Sequence, residues 1–254
     1  MSRIFDAHVH LSEDSRDELI PYAKVNGLDY NLKELLRLMR ENGIVLDLCG
    51  RSGGLLSPVL TVEHASSSVA HAVDLARRNR EVVKGFKIRL GYLKVFADDA
   101  VYDKLYDYAE SEDLPVMFHT GDTASHDGSL EHSHPLTLDR LANQRPGLKV
   151  VACHFGNPWI ADVGELIYKH PNVYADISGL VVSGSRYEAG YLESLAEQVT
   201  RAIYYAGGAE KVIFGTDYPV STPSLALALL GKLRIDGDDK EKILWRNAAE
   251  VFQV

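Results

Sequence analysis

Cysteine is scarce in this chain, with only Cys49 and Cys153 among 254 residues. Two thiols do not make a disulfide framework at this size, so a reducing, cytoplasmic setting is the expectation. Basic residues are also in deficit. Lys and Arg total 27 against 36 for Asp and Glu, and the formal net charge is −9. Such a surface repels phosphate backbones, which sets nucleic acid aside as a partner. No apolar run approaches the roughly 18–20 residues that cross a bilayer. The opening MSRIFDAHVH has no apolar stretch or cleavage pattern of a secretory leader. A membrane partner is therefore not expected. No glycine-rich phosphate loop follows the first strand-like run, which counts against a doubly wound nucleotide-binding sheet. Low-complexity tracts, long linkers and short repeats are missing too, so residues 1–254 read as one domain.

What is present is a repeating pattern. Short apolar, β-rich runs alternate with amphipathic stretches, as in successive βα units around a parallel sheet. Eight runs read as strands: Ile4–His8, Ile44–Leu48, Pro58–Val62, Val82–Ile88, Pro115–His119, Lys149–His154, Asn172–Ile177 and Lys211–Gly215. Between them, Leu32–Asn42, Ser66–Asn79, Asp99–Ser111, Leu136–Asn143, Ala161–His170 and Tyr191–Ala206 carry helical periodicity. The tail, Asp239–Phe252, reads as a final helix with a short one before it. Eight strands, each followed by a helix, in a chain close to the usual ~250 residues, predict an α/β fold: a (β/α)8 TIM barrel with a C-terminal helix.

Catalytic groups in such a barrel sit at the C-terminal ends of the strands. The first strand ends Asp6-Ala-His8-Val-His10, the fifth at His119, the sixth at His154, and the eighth runs into Asp217. Alternation along a strand puts His8 and His10 on one face, and Phe5, Ala7 and Val9 on the other. If the apolar set packs on helices, the histidines point inward. The same argument turns Val151, Cys153 and Phe155 toward the helices and His154 toward the mouth, and it places Val212 and Phe214 outward with Asp217 turned in. Cys153 then reads as packing, not as a nucleophile. A single His119 or His154 would more often be a satisfied core residue. Four strands aiming imidazoles and a carboxylate at one volume instead point to a divalent cation, since burying those groups unpaired is costly.

These residues carry a resemblance. DAHVH at 6–10, FHTG at 118–121, SHP at 133–135, the run from Leu136 to Trp159, NVYADISG at 172–179, FGTDYP at 214–219 and WRNAAEVF at 245–252 resemble the amidohydrolase superfamily. The closer likeness is to the amidohydrolase-2 branch related to aminocarboxymuconate semialdehyde decarboxylase. The resemblance spans nearly the whole chain and implies a distorted (β/α)8 barrel. It implies one metal held by His8, His10, His119 and Asp217, with His154 catalytic. The members include hydrolases, lactonases, hydratases and decarboxylases of small carboxylated or aromatic-derived compounds.

The expected reaction is hydrolysis of a small carbonyl, lactone or amide substrate by metal-bound water, with Asp217 and His154 as acid/base groups. The alternative is a nonoxidative decarboxylase or hydratase. An alternative of another class is a catalytically silent metal- or ligand-binding barrel. The ligand types suit Zn²⁺, while Mn²⁺ or another divalent ion also serves. Lys87 shares a strand face with Gly85 and Arg89. In binuclear relatives a carbamylated lysine bridges two metals, so Lys87 and His154 are the residues a second metal would use. An ion-paired Lys87 is the plainer reading. Arg89 and Arg51, the latter in the CGRSGG loop, are candidates to bind a substrate carboxylate; a structural or solvated role is the alternative for each. His126, His132 and His134 lie in the loop after the fifth strand, where loop polarity is the plain reading. The sequence leaves open the substrate, the metal and assembly into a homo-oligomer.

Overall fold

The computed structural model describes residues 4–9, 20–26, 57–182 and 188–254. Among the described residues six strands form one parallel sheet: β1 Val59–Thr61, β2 Gly85–Ile88, β3 Val116–Phe118, β4 Val150–Ala152, β5 Val173–Asp176 and β6 Val212–Ile213. Their spatial order follows the chain, β1-β2-β3-β4-β5-β6. Every neighbouring pair is parallel, with helix crossing between consecutive strands. That is the winding of a (β/α) barrel of the TIM class.

Residues 4–9 continue the sheet beyond β6 without a regular ladder. Ala7 N donates to Phe214 O at 3.1 Å and Asp217 N donates to His8 O at 2.7 Å. Val9 bridges Tyr218 in parallel. The expected first strand is thus a paired but irregular segment. The expected strand Ile44–Leu48 and helix Leu32–Asn42 lie outside the described residues.

The helices are α1 Ile20–Val25, α2 Ser66–Arg78, α3 Leu90–Leu93, α4 Asp103–Ser111, α5 Leu130–Ser133, α6 Thr137–Gln144, α7 Ile160–Lys169, α8 Glu188–Ala206, α9 Pro223–Lys232, α10 Gly237–Glu241 and α11 Asn247–Phe252. Local chemistry sets several boundaries. Thr222 caps α9 by accepting from Leu225 N, with Pro223 in the first turn, where a missing N–H costs nothing. Asp236 caps α10 through Asp239 N. The amphipathic α6 buries Leu138, Leu141 and Ala142. The four-residue α3 and α5 are too short to show a period in sequence. No helix among the described residues is long and apolar enough to cross a membrane.

The sheet has two unlike faces. The register aligns Phe86, Val116, Val150 and Val173 in one row and Ile88, Phe118, Ala152, Ala175 and Val212 in another. These pack against helix residues such as Val69, Leu105, Leu138, Val163 and Leu195. The alternate residues face the barrel interior, where Met117, Val151, Cys153 and Ile213 cluster with Ala248, Val251 and Phe252 of α11. The C-terminal helix therefore plugs the barrel floor, and Phe5 stacks on Phe252 with centroids 6.0 Å apart.

This corrects part of the expected facing. Val151 and Cys153, placed toward the helices by alternation, lie inside, and Phe5 and Ala7 pack into the same interior cluster. The reason is physical. A barrel interior filled by side chains is apolar on both strand faces, so apolar character alone does not say which face meets the helices. Phe155, Val212 and Phe214 do pack in the helix-side core.

Candidate metal centre and active site

Backbone bends, more than strand alternation, aim the polar groups. β4 stops at Ala152, and the next four residues turn sharply. His154 has φ 60° and Phe155 φ 45°, with Gly156 at φ 60°. Left-handed backbone costs a side-chain-bearing residue about 1–2 kcal/mol, and such bends persist where surrounding contacts fix them. Here Thr120 Oγ1 donates to Cys153 O at 2.6 Å and Asp176 Oδ1 accepts from His154 N at 2.8 Å. The bend returns His154 to the interior, although Cys153 already points there. Asp217, at φ 60°, is turned in the same way after β6, with its N–H held by His8 O.

Three imidazoles converge, and their hydrogen bonds fix their protons. His8 Nδ1 lies 3.0 Å from Asp176 Oδ2, a carboxylate that only accepts. His119 Nε2 lies 2.9 Å from Asp122 O and His154 Nδ1 lies 3.1 Å from Ser178 O, both backbone carbonyls. Each of these nitrogens must therefore carry the hydrogen. The opposite nitrogens are left as lone pairs: His8 Nε2, His119 Nδ1 and His154 Nε2. His8 Nε2 stands 3.3 Å from Asp217 Oδ1. His119 Nδ1 and His154 Nε2 face each other at 3.1 Å. Two acceptors at that separation repel unless a proton or a cation sits with them. Rings oriented by a carboxylate and by backbone carbonyls on their outer side are the usual setting of metal-ligating histidines.

Asp176 is the hub. Its Oδ1 accepts from His154 N, from Ser178 N at 3.1 Å and from Ser178 Oγ at 2.5 Å, while Oδ2 takes His8 Nδ1. Burial works to raise this carboxyl, yet the charge and hydrogen bond of His8, with His154 and Lys87, outweigh it and hold Asp176 well below the usual carboxylate range. Burial, then the positive charge of Lys87, pushes His8 down to about 4. Burial first, then the neighbouring His154, lowers His119 strongly, and burial lowers His154. All three rings are neutral near pH 7, the state in which imidazole binds a metal. Asp6 supports the site from behind, accepting from Thr216 N at 2.9 Å and Thr216 Oγ1 at 2.8 Å. Burial raises its carboxyl to about 7.

His8, His154 and Asp217 offer ligand atoms all within 4.8 Å of one another. His119 joins this group through His154. Room is kept by Gly179, in left-handed backbone at φ +62°, where an added Cβ would fall 2.6 Å from Asp217 Oδ2 and 3.1 Å from His154 Nδ1. A borderline divalent ion suits this set of neutral nitrogens and a carboxylate. Lys87, buried, reaches Cys153 Sγ at 2.7 Å and His8 Nε2 at 3.5 Å. Burial pushes the Cys153 thiol well up.

Of the expected site residues, the structure brings together His8, His119, His154, Asp217 and Lys87. His10 and Arg51 lie outside the described residues. Arg89 sits at the rim, partly exposed, 3.4 Å from Glu63 Oε1 and 5.9 Å from the Tyr92 ring. That ring meets His119 edge-on at 4.9 Å. In the loop after β3, His132 packs on Phe96 and His134 on Trp159. The roles of Asp176, Ser178, Gly179 and Cys153 escaped sequence reasoning. For Asp176 the signal was its place at the end of a strand; its partners were not legible.

The amidohydrolase-2 family model, described as amidohydrolase, matches residues 5–254. The chain belongs to that family, and is a metal-dependent enzyme of the amidohydrolase superfamily. No curated protein sequence matches it. Similar solved structures include an uncharacterised TIM-barrel protein from Bordetella bronchiseptica, with TM-score 0.73 and 19% identity, covering 99% of this chain and 98% of that one. The 5-carboxyvanillate decarboxylase of Sphingomonas paucimobilis gives TM-score 0.70 at 16% identity, covering 100% and 99%. A dihydroxybenzoic acid decarboxylase from Polaromonas, solved with manganese and 2-nitroresorcinol, gives 0.64 at 16% identity, covering 100% and 97%.

Proposed function

We propose that this chain is a metal-dependent lyase that releases carbon dioxide, without redox chemistry, from a small carboxylated, aromatic-derived compound. The observation that carries the metal chemistry is the gathering of three neutral imidazoles beside the Asp217 carboxylate, with the His8 Nε2 lone pair 3.3 Å from Asp217 Oδ1 and those of His119 and His154 facing each other at 3.1 Å. His8, His119 and Asp217, with His10, are the proposed ligands, and His154 adjoins them. Manganese in the Polaromonas structure makes Mn²⁺ as fitting an ion as Zn²⁺. When bound, the ion supplies an electrophilic anchor for substrate oxygens.

Decarboxylation, more than hydrolysis, is favoured by the decarboxylases of similar fold. The bond between the ring carbon and the carboxyl carbon breaks, and its electron pair stays on the ring carbon. A proton must then reach that carbon. Asp217 and His154 are the groups in place to hold it, 3.9 Å apart at His154 Nδ1 and Asp217 Oδ2. Arg89, beside Tyr92 at the rim, suits a substrate carboxylate next to an aromatic ring.

The second reading is hydrolysis, the reaction after which the family is described. There water is consumed, and Asp217 and His154 handle its proton. One experiment separates the two. Metal-loaded protein is incubated in D₂O with dihydroxybenzoates, with 5-carboxyvanillate and with small lactones. Carbon dioxide release with one deuterium at the vacated ring position supports the lyase. Lactone opening without carbon dioxide supports the hydrolase and overturns the lyase reading. Inertness toward every compound, with metal bound, favours a silent barrel.

A further inference from the structure

Behind the proposed metal site lies a second group of potential ligands, and a lysine stands in it. His8, Cys153 and Asp176, all buried, offer atoms within 4.8 Å of one another. With His8 Nδ1–H committed to Asp176 and Nε2 to the first ion, the sulfur and the carboxylate oxygen are the donors left for a second ion, a soft and a hard one. Lys87 Nζ donates to Cys153 Sγ at 2.7 Å and lies 3.5 Å from His8 Nε2. Its positive charge also bears on Asp176.

We infer that Lys87 is a built-in cation that occupies the place of a second metal and holds the centre to one divalent ion. The inference rests on the proposed metal site. Charge explains why. The carboxylates of Asp176 and Asp217 together offset one divalent ion, so the ammonium of Lys87 is already in surplus. A second divalent ion beside it, in surroundings of low dielectric, would face strong repulsion. Lys87 Nζ lies 3.5 Å from His8 Nε2, a nitrogen that would ligate the first ion, so a second cation in its place would stand close to the first. Removing the ammonium vacates the space and the charge together. Cys153 can then give up its proton to a metal, since a coordinated thiol is deprotonated outright. No group in the proposed reaction needs Lys87 for proton transfer, so it is a specificity-determining residue for the metal, not a catalytic one.

The test is metal stoichiometry with a spectroscopic readout. Wild-type protein, Lys87→Ala and Lys87→Gln are stripped, loaded with Co²⁺ and dialysed. Gln ends short of the ammonium position and is neutral, so it stands in if the alanine variant does not fold. Wild type is expected to hold one equivalent and show no sulfur-to-cobalt charge-transfer absorption. The neutral variants are expected to hold two equivalents and gain that absorption, and adding Cys153→Ser is expected to remove it. Lys87→Arg, keeping the charge, is expected to stay at one. One equivalent and no thiolate absorption in folded Lys87→Gln overturns the inference and leaves the metal site standing. Two equivalents in wild type, as a carbamylated Lys87 would give, also overturns it. No bound cobalt in wild type overturns the metal site itself.

Discussion

His119 Nδ1 and His154 Nε2 face each other at 3.1 Å with no hydrogen to share between them, because each ring has committed its proton to a carbonyl on its outer side. The metal-free centre is therefore under repulsion that a bound cation relieves. Stripping the metal with a chelator should lower the melting temperature. A ligand at about 100 times its dissociation constant stabilises by about 2.7 kcal/mol, or about 5–10 °C for a chain of this size. Thermal scans with and without chelator measure it, and superimposable curves would contradict the account.

Asp217→Asn should weaken metal binding at least tenfold and reduce turnover by about 10²–10⁴, the usual scale for a proton-transferring group. The asparagine keeps the shape but loses the anionic oxygen 3.3 Å from His8 Nε2. Equilibrium dialysis and product release check the two effects separately. Full activity in this variant would remove Asp217 from the chemistry.

Gly179→Ala should cripple the enzyme while leaving it folded. The new methyl would fall 2.6 Å from Asp217 Oδ2, at a backbone φ of +62° that disfavours any side chain by about 1–2 kcal/mol. Loss of turnover with a native circular dichroism spectrum is the expected result. Near-normal turnover would mean Asp217 has latitude that the packing does not suggest.

Much of this was legible in the chain. Strand-to-helix alternation gave the barrel, and His8, His119, His154 and Asp217 could be found by asking what ends each strand. The facing of Val151 and Cys153 was not legible, because a filled barrel interior is as apolar as the helix layer. His154 reaches the site through a left-handed bend, and no local pattern in Ala-Cys-His-Phe-Gly requires one. Asp176 needed the fold itself, since its partners His8 and His154 come from distant parts of the sequence. Lys87 was found on the correct face, but its contact with Cys153 depended on the facing that alternation got wrong.

The metal-free protein should lose stability as pH falls from about 6.5 toward 4. In the unfolded chain His8 takes up its proton near 6.5, but in the folded state burial and Lys87 lower it to about 4. The unfolded state then binds more protons in that window, so acid favours unfolding. His119 and His154, both lowered first by burial, act in the same direction. Asp6 opposes them. Burial raises it from 3.8 to about 7, so its contribution is full below 3.8 and is lost as pH rises through 7. Asp6 by itself offsets His8, about 3 kcal/mol each across this window at 1.36 kcal/mol per unit, so the fall in stability comes from His119 and His154. Urea unfolding at pH 7.5 and pH 4.5 measures the difference. Greater stability at the lower pH would reverse the sign and refute this reading.

The most direct test of the metal centre is a crystal structure of the Mn²⁺- or Zn²⁺-loaded protein with anomalous data collected at the metal edge. One peak within about 2.0–2.3 Å of His8 Nε2, His119 Nδ1 and an Asp217 oxygen is the predicted result. A peak elsewhere, or none beside these atoms at full metal loading, would contradict it.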